Sequence, residues 1–567
     1  MTRRLALVTI ALVAAAWICL MQIPGANQNS HLALVTALAH GTPRVDAYHR
    51  WTGDVAYIDG HYYADKAPGL ALATLPWYLA LDAAGLRVRG PAASVPWPAA
   101  QTGMPVTAVW EVGVFGATLP AIVLLLLVWS TAERLVPGYG VAAALVVGTA
   151  CLLAVLATMF FAHALSTCLG FAAFAVLVRA GRGPPRPARI AAAGLLAGLA
   201  VVVEFPLAII AAALGLYAVA GTSGPVRRGL AYAGGVVVGV IPLLAFNTWA
   251  FGSPTKLAYT NAVIQPGASG HAVVGANSGG LFGVEVPSLR AGVELLFSGH
   301  GLLVLSPVLA LATVGFVQLA RSGHRAEAAV AAGIAACFLV FNAGYYLPFG
   351  GFPAGARFLV PAVPFLAVGV AAAWRSQPVV TVTLFLASAA VATAALVGRP
   401  LDESESAGAW FHRIEHGAFT RTVFHWISGG HAGLEILPVV ALIVAAIAIG
   451  LAVTPRLRLD ARTAVVAAAA LVAWRIVYVG APIMLRVDRQ TGGWAGLIAV
   501  LALAVAIPLA FALEPRRAAA VLPALLLLPI AWPRFAAHTG IALVTIVLAT
   551  AGMIGAVLAA RRRPASA

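Results

Sequence analysis

Long apolar runs separated by short polar loops constrain the fold of this chain more than any other feature. Runs of about 20 apolar residues, the length a helix needs to cross a bilayer, recur from residue 5 to residue 560. Charged residues make up only 10% of the chain, against about 25% in soluble domains. The chain could not cover a water-exposed surface, so the pattern predicts an all-α polytopic membrane protein with about 16 transmembrane helices.

The arginines predict the topology. The net charge is +16, and most of this excess falls in alternate loops, as the positive-inside rule requires of cytoplasmic loops. Both termini are then cytoplasmic, and the long segments 24–104, 251–301 and 398–433 face outward. The four cysteines lie inside apolar runs, so neither a disulfide framework nor a thiolate metal site is expected. We expect function to reside in the outer segments.

The apolar runs also locate the predicted elements. An uncleaved first span at 5–21 precedes a short amphipathic helix from His31 to Ala39 and an interfacial helix at 69–81. Later spans are predicted approximately at 105–130, 139–160, 161–179, 190–205, 207–221, 229–250, 302–320, 327–345, 358–374, 378–397, 434–453, 463–480, 494–513, 518–533 and 540–560.

The first outer segment, 24–104, carries the densest chemistry. Four acids, two histidines, an arginine and a lysine alternate there with aromatic residues: Asp46, Tyr48, His49, Arg50, Trp51, Asp54, Tyr57, Asp59, His61, Tyr62, Tyr63, Asp65 and Lys66. Aromatic faces pack against sugar rings, and carboxylates accept hydroxyl protons, so this mixture favours carbohydrate chemistry. The alternative is an ordinary interfacial loop with aromatic anchors and solvated charges.

Several motifs resemble those of GT-C membrane glycosyltransferases. The Tyr62-Tyr63-Ala64-Asp65-Lys66-Ala67-Pro68 stretch is similar to one in the protein O-mannosyltransferase and lipid A aminoarabinose transferase branch. Further similar segments run over about residues 1–375: Phe161-Ala-His163-Ala, Val203-Glu204-Phe-Pro206, Phe251-Gly-Ser-Pro254, Gly301 to Pro307, and Gly355-Ala-Arg357 to Pro361.

The resemblance implies a GT-C-like bundle that transfers a sugar from a polyprenyl-phosphate donor, without a nucleotide sugar. It places Lys66 at the lipid phosphate. The usual catalytic acid follows the first span, where this chain has Asn27 and Gln28, which cannot accept a proton at neutral pH. Either the base has moved to Asp46 or Asp54, or the chain is a catalytically altered relative.

The remaining candidates complete a predicted site. Arg357, in a Gly-rich outer loop, is the second residue expected to bind the donor phosphate. The alternative is that Arg357 and Lys66 are ordinary interfacial cations that snorkel to the headgroup layer. The expected substrate-binding residues are Asp65, His61, Tyr62, Tyr63, His163 and Glu204, although a histidine at the end of a span is often structural. No spacing identifies a metal site, yet Asp54 and Asp65 with His61 could hold a divalent cation weakly.

These features predict a catalytic module over residues 1–375 and additional transmembrane helices over 376–567. The expected function is an inverting glycosyltransferase of the bacterial plasma membrane, acting at the extracytoplasmic face on a glycan, lipid or protein acceptor. No nucleic-acid partner is expected. A transporter or flippase is the rival, although such proteins place charges near the midplane and here they crowd the outer rim. A non-catalytic relative that binds polyprenyl lipids is the third possibility.

Overall fold

The computed structural model describes residues 2–184, 186–262, 283–350, 355–401, 408–426, 432–455 and 461–480. Helices dominate these residues, as the apolar runs predict. The α-helices of the first half are Thr2–Ile18, Ala26–Ala39, Gly69–Ala83, Ala99–Thr102, Val106–Gly113, Leu119–Leu135, Gly140–Thr149, Leu152–Leu156, Ala162–Ala180, Pro187–Val203, Ala208–Val219 and Pro225–Phe251. Those of the second half are Leu289–Phe297, Leu302–Leu305, Ala312–Arg321, Arg325–Gly344, Val363–Ser376, Pro378–Val397, Gly408–Glu415, Ala432–Val453 and Ala461–Gly480.

Seven helices within the described residues are long and apolar enough to cross a membrane, or eight if one bent pair counts as a span. The predicted span at 302–320 belongs to that pair, which bends by 99° between Leu305 and Pro307. The predicted span at 139–160 is likewise interrupted, between Thr149 and Leu152. The predicted spans at 494–513, 518–533 and 540–560 lie outside the described residues, so the total of about 16 stays a prediction.

Small residues hold the bundle together. Helices Pro187–Val203 and Pro225–Phe251 meet along a glycine stripe, where a Cβ on Gly194 or Gly235 would overlap the backbone of the other helix. Close backbone approach is the usual source of helix association in lipid. The outer side of Pro225–Phe251 leaves large apolar side chains exposed, among them Val237, Ile241 and Trp249. This is the composition expected of a lipid-facing surface.

The helix predicted from His31 to Ala39 differs from the expectation in two ways. It begins earlier, spanning Ala26–Ala39, and every residue from Gln28 to Leu38 is buried. An amphipathic surface helix is therefore wrong for this segment. The helix packs against Gly69–Ala83 and shares a core with Trp51 and Phe160, so its polar residues face protein on all sides.

Two short antiparallel strand pairs involve the segments that the charge pattern predicts to face outward. Strands Val55–Ile58 and His61–Ala64 form a hairpin in the first outer segment. Leu20–Met21, directly after the first helix, pairs with Arg421–Thr422 from the third outer segment. Helix Ala432–Val453 then packs against the first helix, Thr2–Ile18. The start of the chain is thus built into a region contributed by residues 421–453.

Candidate active site in the first outer loop

The hairpin of strands Val55–Ile58 and His61–Ala64 positions the acidic residues. Its turn is Asp59-Gly60, with φ values of 50° and 85°, the two-residue Asp-Gly turn that matches the twist of paired strands. The register pairs Val55 with Ala64. Asp54 and Asp65, the next residue outward on each strand, therefore meet at the open end of the hairpin.

Lys66 bridges this pair of carboxylates. Its Nζ lies 3.1 Å from Asp54 Oδ2 and 3.0 Å from Asp65 Oδ2. Burial alone would lower the pKa of Lys66, but the two carboxylates outweigh it and raise the pKa above its usual value. Asp65 is only 1% exposed, so removing the ammonium would be costly for a carboxylate in such a poorly solvated place.

His31, from the buried helix Ala26–Ala39, belongs to the same electrostatic environment. Burial is the main cause that lowers the pKa of His31 to about 3, and the charge of Lys66 adds to it. The imidazole is therefore neutral at physiological pH. Its ring meets Phe160 edge-on, with 6.0 Å between centroids. A neutral imidazole offers hydrogen bonds without adding a third positive charge.

Arg357, which begins the 3₁₀ turn Arg357–Ala362, brings a second cation to this cluster. Its guanidinium lies over the rings of Phe161 and Phe358, 5.3 and 5.1 Å from their centroids. It is close enough to interact electrostatically with Asp54. The buried Nε has no hydrogen-bond partner among the described residues. Gly350 lies against this Nε with φ +78°, where a Cβ would collide with the guanidinium.

Glu204 and His163 form a buried dyad beside Arg357. His163 Nδ1 lies 2.5 Å from Glu204 Oε1, and Ser166 Oγ donates a hydrogen bond to Glu204 Oε2. Glu204 follows the end of helix Pro187–Val203, and His163 lies in the first turn of Ala162–Ala180. The carboxylate also interacts electrostatically with Arg357. The dyad joins the cluster that contains Asp54, Asp65 and Lys66.

Asp46 precedes the hairpin and contacts its second strand next to the turn. Its Oδ2 is 2.9 Å from His61 Nδ1, and its Oδ1 accepts a hydrogen bond from the backbone N–H of Tyr62 at 2.7 Å. His61 begins the strand and Lys66 follows its end, so roughly 16 Å of extended chain separates these two residues. The structure therefore brings Asp54 to Lys66 and places Asp46 with His61 at the solvent-exposed side.

Aromatic rings surround Asp46. Tyr62 stacks on His49 with 4.3 Å between centroids, and Tyr57, which is 49% exposed, tilts against Tyr62 at 4.9 Å. Tyr63 points the opposite way, as alternation along a strand requires. It is buried, and its hydroxyl donates to the carbonyl of Ala250 at 3.3 Å. Tyr62 is thus placed on an outer aromatic surface, and Tyr63 packs inside.

The suggested divalent site of Asp54, Asp65 and His61 does not form. Lys66 Nζ contacts both carboxylates, and His61 pairs with Asp46. A cation would have to displace the ammonium and would still lack the imidazole. Within the described residues, the side chains placed closely enough to share an ion lie instead on the helix Gly408–Glu415 and the residue that follows it.

Asn27 and Gln28 lie in the first turn of the helix Ala26–Ala39. Gln28 Oε1 accepts a hydrogen bond from the backbone N–H of Gly25 at 2.6 Å, which caps the helix Ala26–Ala39. Asn27 Oδ1 is buried without a partner in the described part of the chain. Gln28 also lines a small cleft with Phe160 and with Val114 and Thr118 of a π-helical turn. Phe115 and Leu119, from the same stretch, are exposed.

Two groups near the cluster are missed by motif reading. His31 lies in a segment whose pattern predicts an ordinary surface helix, and nothing in that pattern signals its burial. Tyr345 and Tyr346 follow helix Arg325–Gly344 and interact electrostatically with Arg357. Tyr345 also shares a hydroxyl–hydroxyl hydrogen bond with Tyr259. The adjacent tyrosines next to a Gly-rich outer loop are the one signal that could have indicated them.

Comparison with known proteins returns structural likeness alone. No protein-family model matches the chain, and no curated protein matches it significantly. ArnT from Cupriavidus metallidurans in the apo state is similar over 98% of this chain and 75% of that chain, with 14% identity and a TM-score of 0.40. ArnT bound to undecaprenyl phosphate is similar over 88% and 79%, with 13% identity and a TM-score of 0.43.

The archaeal oligosaccharyltransferase AglB from Archaeoglobus fulgidus, in complex with an inhibitory peptide and a dolichol-phosphate, is also similar. The match covers 83% of this chain and 58% of that chain, with 13% identity and a TM-score of 0.39. ArnT and AglB are both GT-C superfamily members, the superfamily whose motifs this chain resembles. Because all these TM-scores are below 0.5, function is inferred from the geometry of the site.

Proposed function

We propose that this protein is a membrane glycosyltransferase that moves a sugar from a polyprenyl-phosphate donor to an acceptor hydroxyl at the extracytoplasmic face. The observation that carries this proposal is the paired placement of Lys66 and Arg357. The two cations are close enough for Arg357 to oppose the charge on Lys66, and both interact with Asp54. The unpartnered Nε of Arg357 completes a site that an anion would stabilise.

A lipid phosphate suits this site because negative charge grows on it as the sugar leaves. Lys66 acts as a compact point charge and Arg357 as a planar fork for two oxygens. Fixed cations at a developing charge lower the transition-state energy more than the ground-state energy.

Asp54 is the candidate base. The acceptor oxygen attacks the anomeric carbon, the bond from that carbon to the phosphate oxygen breaks, and its electron pair stays on the phosphate. The acceptor proton passes to Asp54, and attack opposite the leaving group inverts the anomeric centre. In this scheme the arriving phosphate takes over part of the contact with Lys66, which releases Asp54 to accept the proton. The remaining contact with Asp65 keeps the ammonium in place.

The other predicted residues serve the substrates. The Glu204–His163 dyad presents an oriented imidazole that can hydrogen-bond a donor hydroxyl, with Ser166 fixing the carboxylate. The surface formed by His49, Tyr57 and Tyr62 offers ring faces to an acceptor sugar, and Asp46 lies at its edge to accept hydroxyl hydrogen bonds. This arrangement favours a sugar-containing acceptor.

A reconstituted assay tests the enzyme hypothesis. The full chain in proteoliposomes is supplied with lipid-linked sugars and glycolipid acceptors extracted from cells lacking it, and products are identified by mass spectrometry. We expect a covalently extended acceptor and a released polyprenyl phosphate. Movement of the lipid-linked sugar between leaflets without a covalent product would instead establish the flippase.

Matched carboxamide variants test the base. Asp54→Asn should lower turnover by about 100-fold or more, the usual contribution of a general base. Asp46→Asn should raise KM for the acceptor and change kcat little, because its carboxylate lies with the outer rings. If Asp54→Asn kept full turnover while Asp46→Asn abolished it, the base assignment would be reversed.

A further inference from the structure

The third long segment, 398–433, carries a cluster of side chains that can bind a metal ion. His412, Glu415 and His416 follow the spacing i, i+3 and i+4, which places them on one face of a helix. One ligand atom from each lies within 4.8 Å of the others. All three side chains are exposed, with His412 and Glu415 at 71% and 72%. Two imidazoles and a carboxylate are a ligand set that divalent transition metals favour.

Hydrogen bonding prepares His416 for coordination. Its Nδ1–H donates to the backbone carbonyl of His412 at 2.8 Å. A carbonyl oxygen only accepts, so the proton of the neutral ring is on Nδ1 and the lone pair is on Nε2. Donation of the other ring N–H to a backbone carbonyl is the arrangement typical of metal-binding histidines. The two imidazoles are already close, with 4.1 Å between ring centroids.

The helix Gly408–Glu415 is anchored on the side away from this cluster. Trp410 is 1% exposed and meets the ring of His300 edge-on, with 6.1 Å between centroids. Arg413 Nη1 donates to the carbonyls of Gly398 and Arg399. The three ligating side chains therefore project from a fixed element, which limits the conformational entropy lost when an ion binds.

We propose that His412, Glu415 and His416 bind one divalent transition-metal ion of the Zn²⁺ type, with water at the remaining positions. The imidazoles favour such ions over Mg²⁺ and Ca²⁺, which prefer oxygen ligands. The bound ion cross-links the last turn of the helix and stabilises its packing over His300. The site is separate from the proposed glycosyltransferase residues, so it does not depend on that function.

Titration of the full chain with Zn²⁺ and Co²⁺ tests the site. The protein is purified in detergent with a non-histidine tag, stripped with chelator, and examined by equilibrium dialysis and by the visible absorption of bound Co²⁺. We expect one ion per chain, and we expect His412→Ala and His416→Ala each to weaken binding by more than about tenfold. Glu415→Gln should weaken binding while preserving the shape of the side chain.

The chain offers a matched control. His324 and Glu327 form an i, i+3 pair at 3.9 Å, but position i+4 is Ala328, so a third ligand is missing. His324→Ala should leave Zn²⁺ affinity unchanged. Since the three ligands are exposed, the variants should unfold at the wild-type temperature in the presence of chelator. They should lose only the increase in unfolding temperature that Zn²⁺ causes in the wild type. The proposal is overturned if wild type binds no more Zn²⁺ than the His412→Ala/His416→Ala double variant, or if the control weakens binding equally.

Discussion

The hairpin in the first outer segment carries a lysine–aspartate pair at each end, and the two pairs differ in their surroundings. At the open end, Lys66 lies 3.1 Å from Asp54, with the side chains 21% and 15% exposed. At the turn, Lys256 lies 3.1 Å from Asp59, with the side chains 36% and 82% exposed. The pairs share chemistry and distance and differ in access to water.

This difference decides which pair can support function. Water screens the pair at the turn, so the contact between Lys256 and Asp59 contributes little free energy. The pair at the open end lies where charges interact strongly and where a missing partner is costly. It also contacts a second buried carboxylate, Asp65. These are the only lysines in the chain, so each serves as the internal control for the other.

Removing Lys66 should have the largest effect. Lys66→Ala removes the ammonium that contacts both Asp54 and Asp65 and with it the proposed phosphate ligand. We expect transfer activity to fall by about 1,000-fold or more and the free energy of unfolding to fall by about 3 kcal/mol. Turnover in proteoliposomes and thermal unfolding in detergent measure the two effects. Lys66→Arg, which keeps the charge, should recover stability more than activity; equal recovery of both would argue against a phosphate role.

Replacing Arg357 should have the next largest effect. Arg357→Lys keeps the charge and loses the planar fork that binds two oxygens. We expect KM for the lipid-linked donor to rise about tenfold with a smaller change in kcat. The matched variant is Arg399→Lys, because Arg399 is an outer-segment arginine that bonds the backbone carbonyl of Phe419. An equal rise in donor KM for Arg399→Lys would remove the assignment of Arg357 to the phosphate.

The pH dependence of stability should report His31. Its pKa is about 3 in the folded protein, below the usual 6.5, so the unfolded chain binds a proton more readily. Stability from the neutral ring is present above pH 6.5 and is lost as the pH falls toward 3. His31→Gln should reduce this slope in denaturant unfolding measured from pH 7 to pH 4. An unchanged slope would show that His31 is not buried as described.

The smallest effect should come from the turn of the hairpin. Lys256→Ala removes a partly exposed contact with Asp59, so we expect a loss of less than about 1 kcal/mol in unfolding free energy and unchanged turnover. The same assays as for Lys66→Ala apply. A loss as large as that caused by Lys66→Ala would abolish the distinction between the two ends of the hairpin.

The general architecture follows from the sequence because each apolar run is long and its hydrophobicity is evident from its own residues, without knowledge of distant contacts. The spans predicted at 161–179 and 378–397 require only a long apolar run and a residue that ends it. The helices Ala162–Ala180 and Pro378–Val397 agree with these predictions to within one residue. The interruption between Thr149 and Leu152 follows no Pro or charge in the run, so hydropathy could not reveal it.

The site was predictable in part. Residues 54, 65, 66, 163, 204 and 357 carry chemistry that motif reading identifies, and the structure places them in one cluster. The choice between Asp46 and Asp54 needed the strand register, because Asp54 meets Lys66 only when Val55 pairs with Ala64. The Asp59-Gly60 turn between β-branched and aromatic residues was the available signal for that hairpin. The burial of helix Ala26–Ala39 depends on distant packing, which no local pattern contains.

The pairing of Leu20–Met21 with Arg421–Thr422 has a consequence for biosynthesis. Helix Thr2–Ile18 has its packing face for Ala432–Val453 uncovered while some 400 further residues are translated, about 20 seconds or more at usual synthesis rates. During that interval Gln22 also lacks its partner Thr420. Truncated chains that end before residue 420 should therefore expose this face to insertion chaperones and quality-control proteases.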